Sequence, residues 1–269
     1  MIKDITLGQF YPGNSAIHRM DPRVKIMLTL FLITVMFFVR SYYAYGLLAV
    51  FIVLVTLVAK IPLSYMLRSL KPLLFIILFT FVLNLFLTGG ETVLFSWWIF
   101  TVTLEGVHNA LFFMLRLVLL ITGMSLLTLT TSPLSLTDGI ERLLSPFAKI
   151  GFPSHELAMM MSIALRFIPI ILEETDKIMK AQMARGADFE SGNLLRRAKA
   201  LIPILVPLFV SAFRRADELA MAMEARCYHG GEGRTRLKVL KLGTVDLWCS
   251  LVFFAVAALV VLDRYVFLL

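Results

Sequence analysis

The chain has 269 residues, 59% of them hydrophobic, with a mean hydropathy of +0.86 and a net charge of +8. A soluble domain is about 45–50% apolar, so the composition excludes that class and places the chain in a membrane. The basic excess then marks Lys/Arg-rich cytoplasmic loops, and no nucleic acid is expected as a partner. Cys227 and Cys249 lie far apart with no CxxC pattern, so neither a disulfide framework nor a metal or cofactor site is expected.

Residues 1–23 are polar. Pro12-Gly13-Asn14 is turn chemistry, and Asp21-Pro22 predicts a helix N-cap followed by proline at the first helical position. The segment is too mixed in charge for a signal peptide and reads as a cytoplasmic amphipathic lead-in. A first span is predicted over 24–39. Arg40 snorkels at its outer end, beside an aromatic belt of Tyr42, Tyr43 and Tyr45. A second span follows over 42–59, then Lys60, Arg68 and Lys71 in a cytoplasmic loop, then a third span over 72–87. All three are close to the lower limit of about 17 residues for crossing the hydrocarbon layer. Residues 88–105 contain Gly89, Gly90, Trp97 and Trp98 but no Lys or Arg, which predicts an outside loop with a β-like hairpin. The fourth span, 106–130, contains Arg116, a costly charge that must face protein or a wet cavity.

After Ser132-Pro133 the texture changes. Residues 132–246 hold 16 Lys/Arg and 13 Asp/Glu, against 10 and 5 in the rest of the chain. Apolar runs persist at 157–172 and 201–213, but they end in charge clusters (Glu173, Glu174, Asp176, Lys177; Arg214, Arg215, Asp217, Glu218). Helices of this kind lie along a membrane surface or against other spans. Pro203 and Pro207 are expected to kink the second, and Gly192-Asn193 to separate the two. A last span is predicted over 247–261.

Within that charged region one phrase occurs twice, 41 residues apart: Asp176 to Ala184-Arg185-Gly186, and Asp217 to Ala225-Arg226-Cys227. In each, an Asp opens a helical run and an Ala-Arg-small triplet closes it. Glu173/Lys177 and Asp176/Lys180 have the i,i+4 spacing of helix-stabilising pairs. Two readings fit. In the first, the arginines simply complement helix dipoles at two solvated C-termini. Alternatively, small neighbours leave each guanidinium projecting from bare backbone, where its planar fork can pair with a partner's carboxylate. Methionines 159–161, 179, 183, 221 and 223 fall on the same helices and suit either core packing or adaptable docking. Two catalytic patterns fail. His155-Glu156 begins HExxH, but Met159 stands in place of the second histidine. The glycine-rich run from His229 to Arg236 lacks GxxxxGK[ST], so ATP hydrolysis would belong to another chain.

Three further groups of residues complete a recognisable pattern. They are Gly8-Gln9-Phe10-Tyr11-Pro12 with Ser15 to Lys25; Ala164-Leu165-Arg166-Phe167-Ile168-Pro169; and Phe213 to Glu218 with Tyr228-His229-Gly230-Gly231. With the Ala-Arg triplets, they make the chain resemble the transmembrane coupling subunits (EcfT, CbiQ-like) of energy-coupling factor transporters, ABC-type importers of vitamins and micronutrients. The resemblance implies an all-α integral membrane protein with about five transmembrane helices plus a cytoplasmic pair of long amphipathic coupling helices. The change of texture at 132 and the last apolar run divide the chain at 1–131, 132–246 and 247–269. The resemblance also implies two ABC ATPase partners (EcfA and EcfA′), docked on Ala184, Arg185 and Gly186 and on Ala225, Arg226 and Cys227. A membrane-embedded substrate-binding S component, one of several, would pack on the apolar face of the coupling region. The subunit itself would catalyse nothing. The family's second triplet usually ends in glycine. Cys227 adopts positive φ less readily, so a different local turn is expected there.

The competing reading is a self-contained secondary transporter, which calls for inverted repeats of spans and ionisable groups at mid-membrane. Here the repeat lies in the charged region, and Arg116 is the one clear intramembrane charge. An intramembrane enzyme would need a nucleophile with a base, or clustered ligands, and the sequence offers none.

Overall fold

In a computed structural model the protein is described at residues 10–97, 100–189, 193–230 and 240–266. Residues 1–9, Trp98, Gly192 and the stretch from Gly231 to Arg236, all invoked above, lie outside these. The described residues fall into two compact units, one from 140 to 230 and one comprising the rest.

The larger unit begins with α1 (Ala16–Arg19) and α2 (Pro22–Phe38). Asp21 caps α2 through the Arg23 amide, with Pro22 at the first position, as the sequence predicts. Burial pushes the Asp21 carboxyl up, but the hydrogen bonds and charge of Arg23 together hold it below the usual carboxylate range. Next come α3 (Tyr42–Val58) and α4 (Leu63–Leu70). A 3-10 turn at Lys71–Leu73 then leads into α5 (Leu74–Leu87). The third span is therefore longer than 72–87: Leu63–Leu87 is a 25-residue apolar stretch, with Pro72 in the tight turn rather than at its start.

The hairpin after it pairs β1 (Val93–Trp97) antiparallel with β2 (Phe100–Thr103). Thr103 then caps α6 (Leu104–Thr130) through the Gly106 amide. The last element of this unit is α10 (Thr244–Val266).

Leu32 and Met36 from α2 meet Leu48 and Ile52 from α3, Leu126 and Leu129 from α6, and Phe253 and Val260 from α10. On α3 the buried positions 44, 45, 48, 52 and 56 form one stripe, although the helix is apolar on every side. Tyr45 belongs to that stripe at 2% exposure, so it is not part of an interfacial belt; Tyr43, 75% exposed, fits one. The Tyr45 hydroxyl instead accepts from Arg116 Nε at 3.0 Å, and the guanidinium lies 5.3–5.8 Å from the Phe37, Phe112 and Phe113 ring centres. Arg116 thus faces protein, as its cost in a membrane requires. In contrast, α5 buries only Ile77 and exposes Phe75, Ile76, Leu78 and Phe79. So large an apolar face is stable in lipid and a liability in water.

Among the described residues four helices are long and apolar enough to cross a membrane: Leu63–Leu87, Leu104–Thr130, Ser154–Ala184 and Thr244–Asp263. The shorter Tyr42–Val58 is apolar as well. The protein is an all-α integral membrane protein with several spans.

Candidate functional site

The smaller unit is built on α8 (Ser154–Ala184) and α9 (Leu194–Glu224), each of 31 residues. Between the two units in sequence runs α7 (Pro133–Leu144), followed by a 3-10 turn over Ser145–Ile150 that ends at Gly151 in the left-handed region. Prolines 169, 203 and 207 lie inside the long helices, and each removes one backbone donor without ending its helix.

The repeated phrase therefore needs one correction. Asp176 and Asp217 do not open helices; both lie deep inside one, 22 and 23 residues past the starts at Ser154 and Leu194. No glycine or proline stands at the charge clusters before them, so the backbone continues through. Of the two predicted i,i+4 pairs, Lys180 Nζ reaches Asp176 Oδ2 at 2.6 Å, while Glu173 and Lys177 form no ion pair among the described residues.

Both copies do close a helix, and in the same way. The Gly186 amide donates to Met183 O at 2.9 Å and the Ala187 amide to Gln182 O at 3.0 Å. In the second copy the Cys227 amide donates to Glu224 O at 2.8 Å and the Tyr228 amide to Met223 O at 3.1 Å. These paired i−3 and i−5 bonds form a Schellman cap, whose left-handed residue is Gly186 at φ 89° in the first and Cys227 at φ 53° in the second. The different turn expected from Cys227 is not observed, because cysteine adopts the positive φ at this position. All six residues of the two triplets are exposed. Among the described residues neither the Arg185 nor the Arg226 guanidinium makes an ion pair, whereas Arg23 and Arg215 do.

Two contacts show that α8 and α9 run antiparallel. Midway, Glu174 accepts from the Ser211 hydroxyl and from Arg215 at 2.8 Å. Near one end, His155 Nε2 lies 3.2 Å from the Tyr228 hydroxyl, while His155 Nδ1 lies 3.0 Å from Glu141 Oε1. A groove of about 280 Å³ between the helices is lined by Phe167, Ile171, Leu208, Ala212 and Leu219. The two arginine tips therefore sit at opposite ends of the pair. At 1.5 Å per residue, 31 residues span roughly 45 Å.

The His155 arrangement is one that sequence reading missed. The histidine that begins a failed HExxH instead joins α7, the first turn of α8 and the residue just past the second triplet. Its partners stand 14 and 73 positions away, beyond the reach of any local pattern. Among the described residues no cluster of three or more potential ligands could hold a metal ion.

The chain is a multi-pass helical protein in which two long helices end in exposed arginines. Residues 13–237 match the family model described as cobalt transport protein (CbiQ), and the chain belongs to that family. Its relatives carry the name energy-coupling factor transporter transmembrane protein EcfT. The protein of that name from Clostridium kluyveri is 59% identical, with 98% of each chain covered. The one from Acidaminococcus fermentans is 58% identical over the same shares. The Bacillus subtilis protein is 46% identical over 100% of this chain and 99% of its own.

Proposed function

We propose that this chain is the non-catalytic coupling subunit of an energy-coupling factor importer. It takes up the motion of two ATP-hydrolysing subunits and passes it to a membrane-embedded substrate-binding component for vitamin or micronutrient uptake. The observation that carries the reading is the pair of identical helix caps, each presenting an exposed arginine. A closed cap leaves its own carbonyls satisfied and the guanidinium free to enter a partner's groove, where an acidic group can accept both arms of the fork. Two tips roughly 45 Å apart suit two separate ATPase grooves better than one shared groove.

In this reading Ala184, Arg185 and Gly186 dock one ATPase, and Ala225, Arg226 and Cys227 the other. The charged region and the N-terminus lie in the cytoplasm, in line with the concentration of Lys and Arg there. Helix α8 is long enough to cross a membrane, but its second half carries Glu173, Glu174, Asp176, Lys177 and Lys180, and we place it along the cytoplasmic surface. Substrate choice rests with the binding component.

The test is the double variant Arg185→Ala/Arg226→Ala. It is expected to insert normally, but to lose its ATPase partners on purification and to support no uptake. Normal co-purification with full uptake overturns the docking assignment.

A further inference from the structure

The N-terminal signature from Tyr11 to Lys25 lies far from both triplets in sequence and is held by long-range hydrogen bonds. Ser15, Asp21, Lys25, Thr130, Thr131 and Asp246 are polar and each less than 7% exposed. Buried polar groups at this density need a complete set of partners, and here they have one. Lys25 Nζ donates to Thr130 O at 2.9 Å, Thr131 Oγ1 at 3.2 Å and His18 O at 3.4 Å, which uses all three ammonium protons. The Tyr11 amide donates to Leu129 O at 2.9 Å. The His18 ring spans Ser15 Oγ and Tyr11 O, holding the lead-in closed on itself.

On the other side, the Asp21 amide donates to Asp246 Oδ1 at 2.7 Å, and Asp246 Oδ2 accepts from the Gly243 amide at 2.7 Å. Packing adds to this. A Cβ on Gly139 would stand 3.0 Å from the Pro22 Cβ, so α7 seats its one glycine directly against the start of α2.

The bonds fall at two places in the chain: the end of α6, at 129–131, and the start of α10, at 243–246. Between these lies the whole segment that carries both arginine tips. A single polar knot, made from fifteen N-terminal residues, holds the point where that segment leaves the spans and the point where it returns.

We propose that the knot centred on Asp21 and Lys25 is the fixed anchor of the coupling segment, and that Lys25 and Thr131 are positioning residues for energy transfer. This rests on the coupling reading above. A lever transmits force only when its ends are held. With the anchor loosened, ATPase docking and hydrolysis persist while the motion is lost within the segment itself.

The test uses the complete transporter (this chain, two ATPases and a binding component) in proteoliposomes, with substrate uptake and ATP hydrolysis measured together. Lys25→Met keeps most of the apolar stem and removes the donors. It is expected to leave ATPase co-purification and hydrolysis close to the parent. Uptake per ATP should fall about tenfold, the size of effect expected for losing hydrogen bonds to one charged group. Thr131→Val should lower the same ratio by a smaller factor, and Thr131→Ser, which keeps the hydroxyl, should restore it.

A reduced yield of complex whose surviving molecules keep the parent ratio means a purely structural role and overturns the proposal. So does loss of the ATPases from the Lys25→Met complex. Should Lys25→Met not insert, the Thr131→Val and Thr131→Ser pair decides, and equal ratios in the two overturn the anchor. Failure of the docking reading shows elsewhere, as intact ATPase binding in the double-arginine variant.

Discussion

The two arginine tips share a hydrogen-bond pattern and differ in what maintains it. The first ends on Gly186, which takes positive φ without steric cost, and its next residue, Ala187, is small. The second ends on Cys227, for which the left-handed conformation costs about 1–2 kcal/mol, and its next residue, Tyr228, reaches His155 at the base of α8. The first cap holds through backbone freedom and the second through a side-chain brace. Cap geometry here is a property of the position in the fold, and glycine is one of two ways to satisfy it.

That comparison can be broken most sharply at the arginines themselves. Arg185→Glu and Arg226→Glu, made singly, should each weaken ATPase binding by about 2 kcal/mol or more, roughly thirtyfold. Titration of the purified ATPases onto the chain in nanodiscs measures this. If one substitution abolishes binding and the other changes nothing, the tips are not equivalent partners.

The brace is tested next. His155→Ala removes its bonds to Tyr228 and Glu141, at an expected cost of about 1–2 kcal/mol to the second tip. Hydrogen exchange should quicken at the Tyr228 amide and stay unchanged at the Ala187 amide. Equal protection at both after the substitution would remove the brace from the account.

Backbone preference gives a smaller effect of opposite sign at the two ends. Gly186→Ala should destabilise by about 1 kcal/mol, and Cys227→Gly should stabilise by up to about 1 kcal/mol, both read as shifts in thermal unfolding. The smallest effect belongs to the exposed Asp176–Lys180 pair. Lys180→Ala should cost at most about 0.5 kcal/mol and leave ATPase binding unaltered, which separates general helix stability from docking.

Much of this was legible in the sequence because local chemistry determined it. Among the described residues apolar runs located the candidate spans Leu63–Leu87, Leu104–Thr130 and Thr244–Asp263 and the shorter Tyr42–Val58. The predicted first span is not among the candidates, whereas α8, read as a surface helix, is. The loop without Lys or Arg between Thr88 and Glu105 contains the hairpin, and Asp21-Pro22 marked the start of α2. The repeat was legible as well, since identical spacing produced identical caps. Its opening was misread because a cluster such as Glu173 to Lys177 resembles a helix end by charge, whereas only the backbone decides whether a helix stops. The buried face of α3 was hidden because leucine, valine and isoleucine occur on every side of it. The Glu174–Arg215 clasp, the His155 contacts and the long-range bonds of the knot join residues 14 to 225 positions apart, and no periodicity encodes them.

One short helix has a consequence for the bilayer as well as for the protein. The 17 residues of α3 rise only about 25 Å, against a hydrocarbon layer of about 30 Å. Arg40 and Lys60 flank the helix, and their long side chains can keep the charges in water while the helix ends sit deeper. A span this short is met by snorkelling of its flanking charges and by thinning of the lipid beside it, at a cost of a fraction of a kcal/mol for each ångström of mismatch. A helix of this length is cheapest to hold where the bilayer is thin.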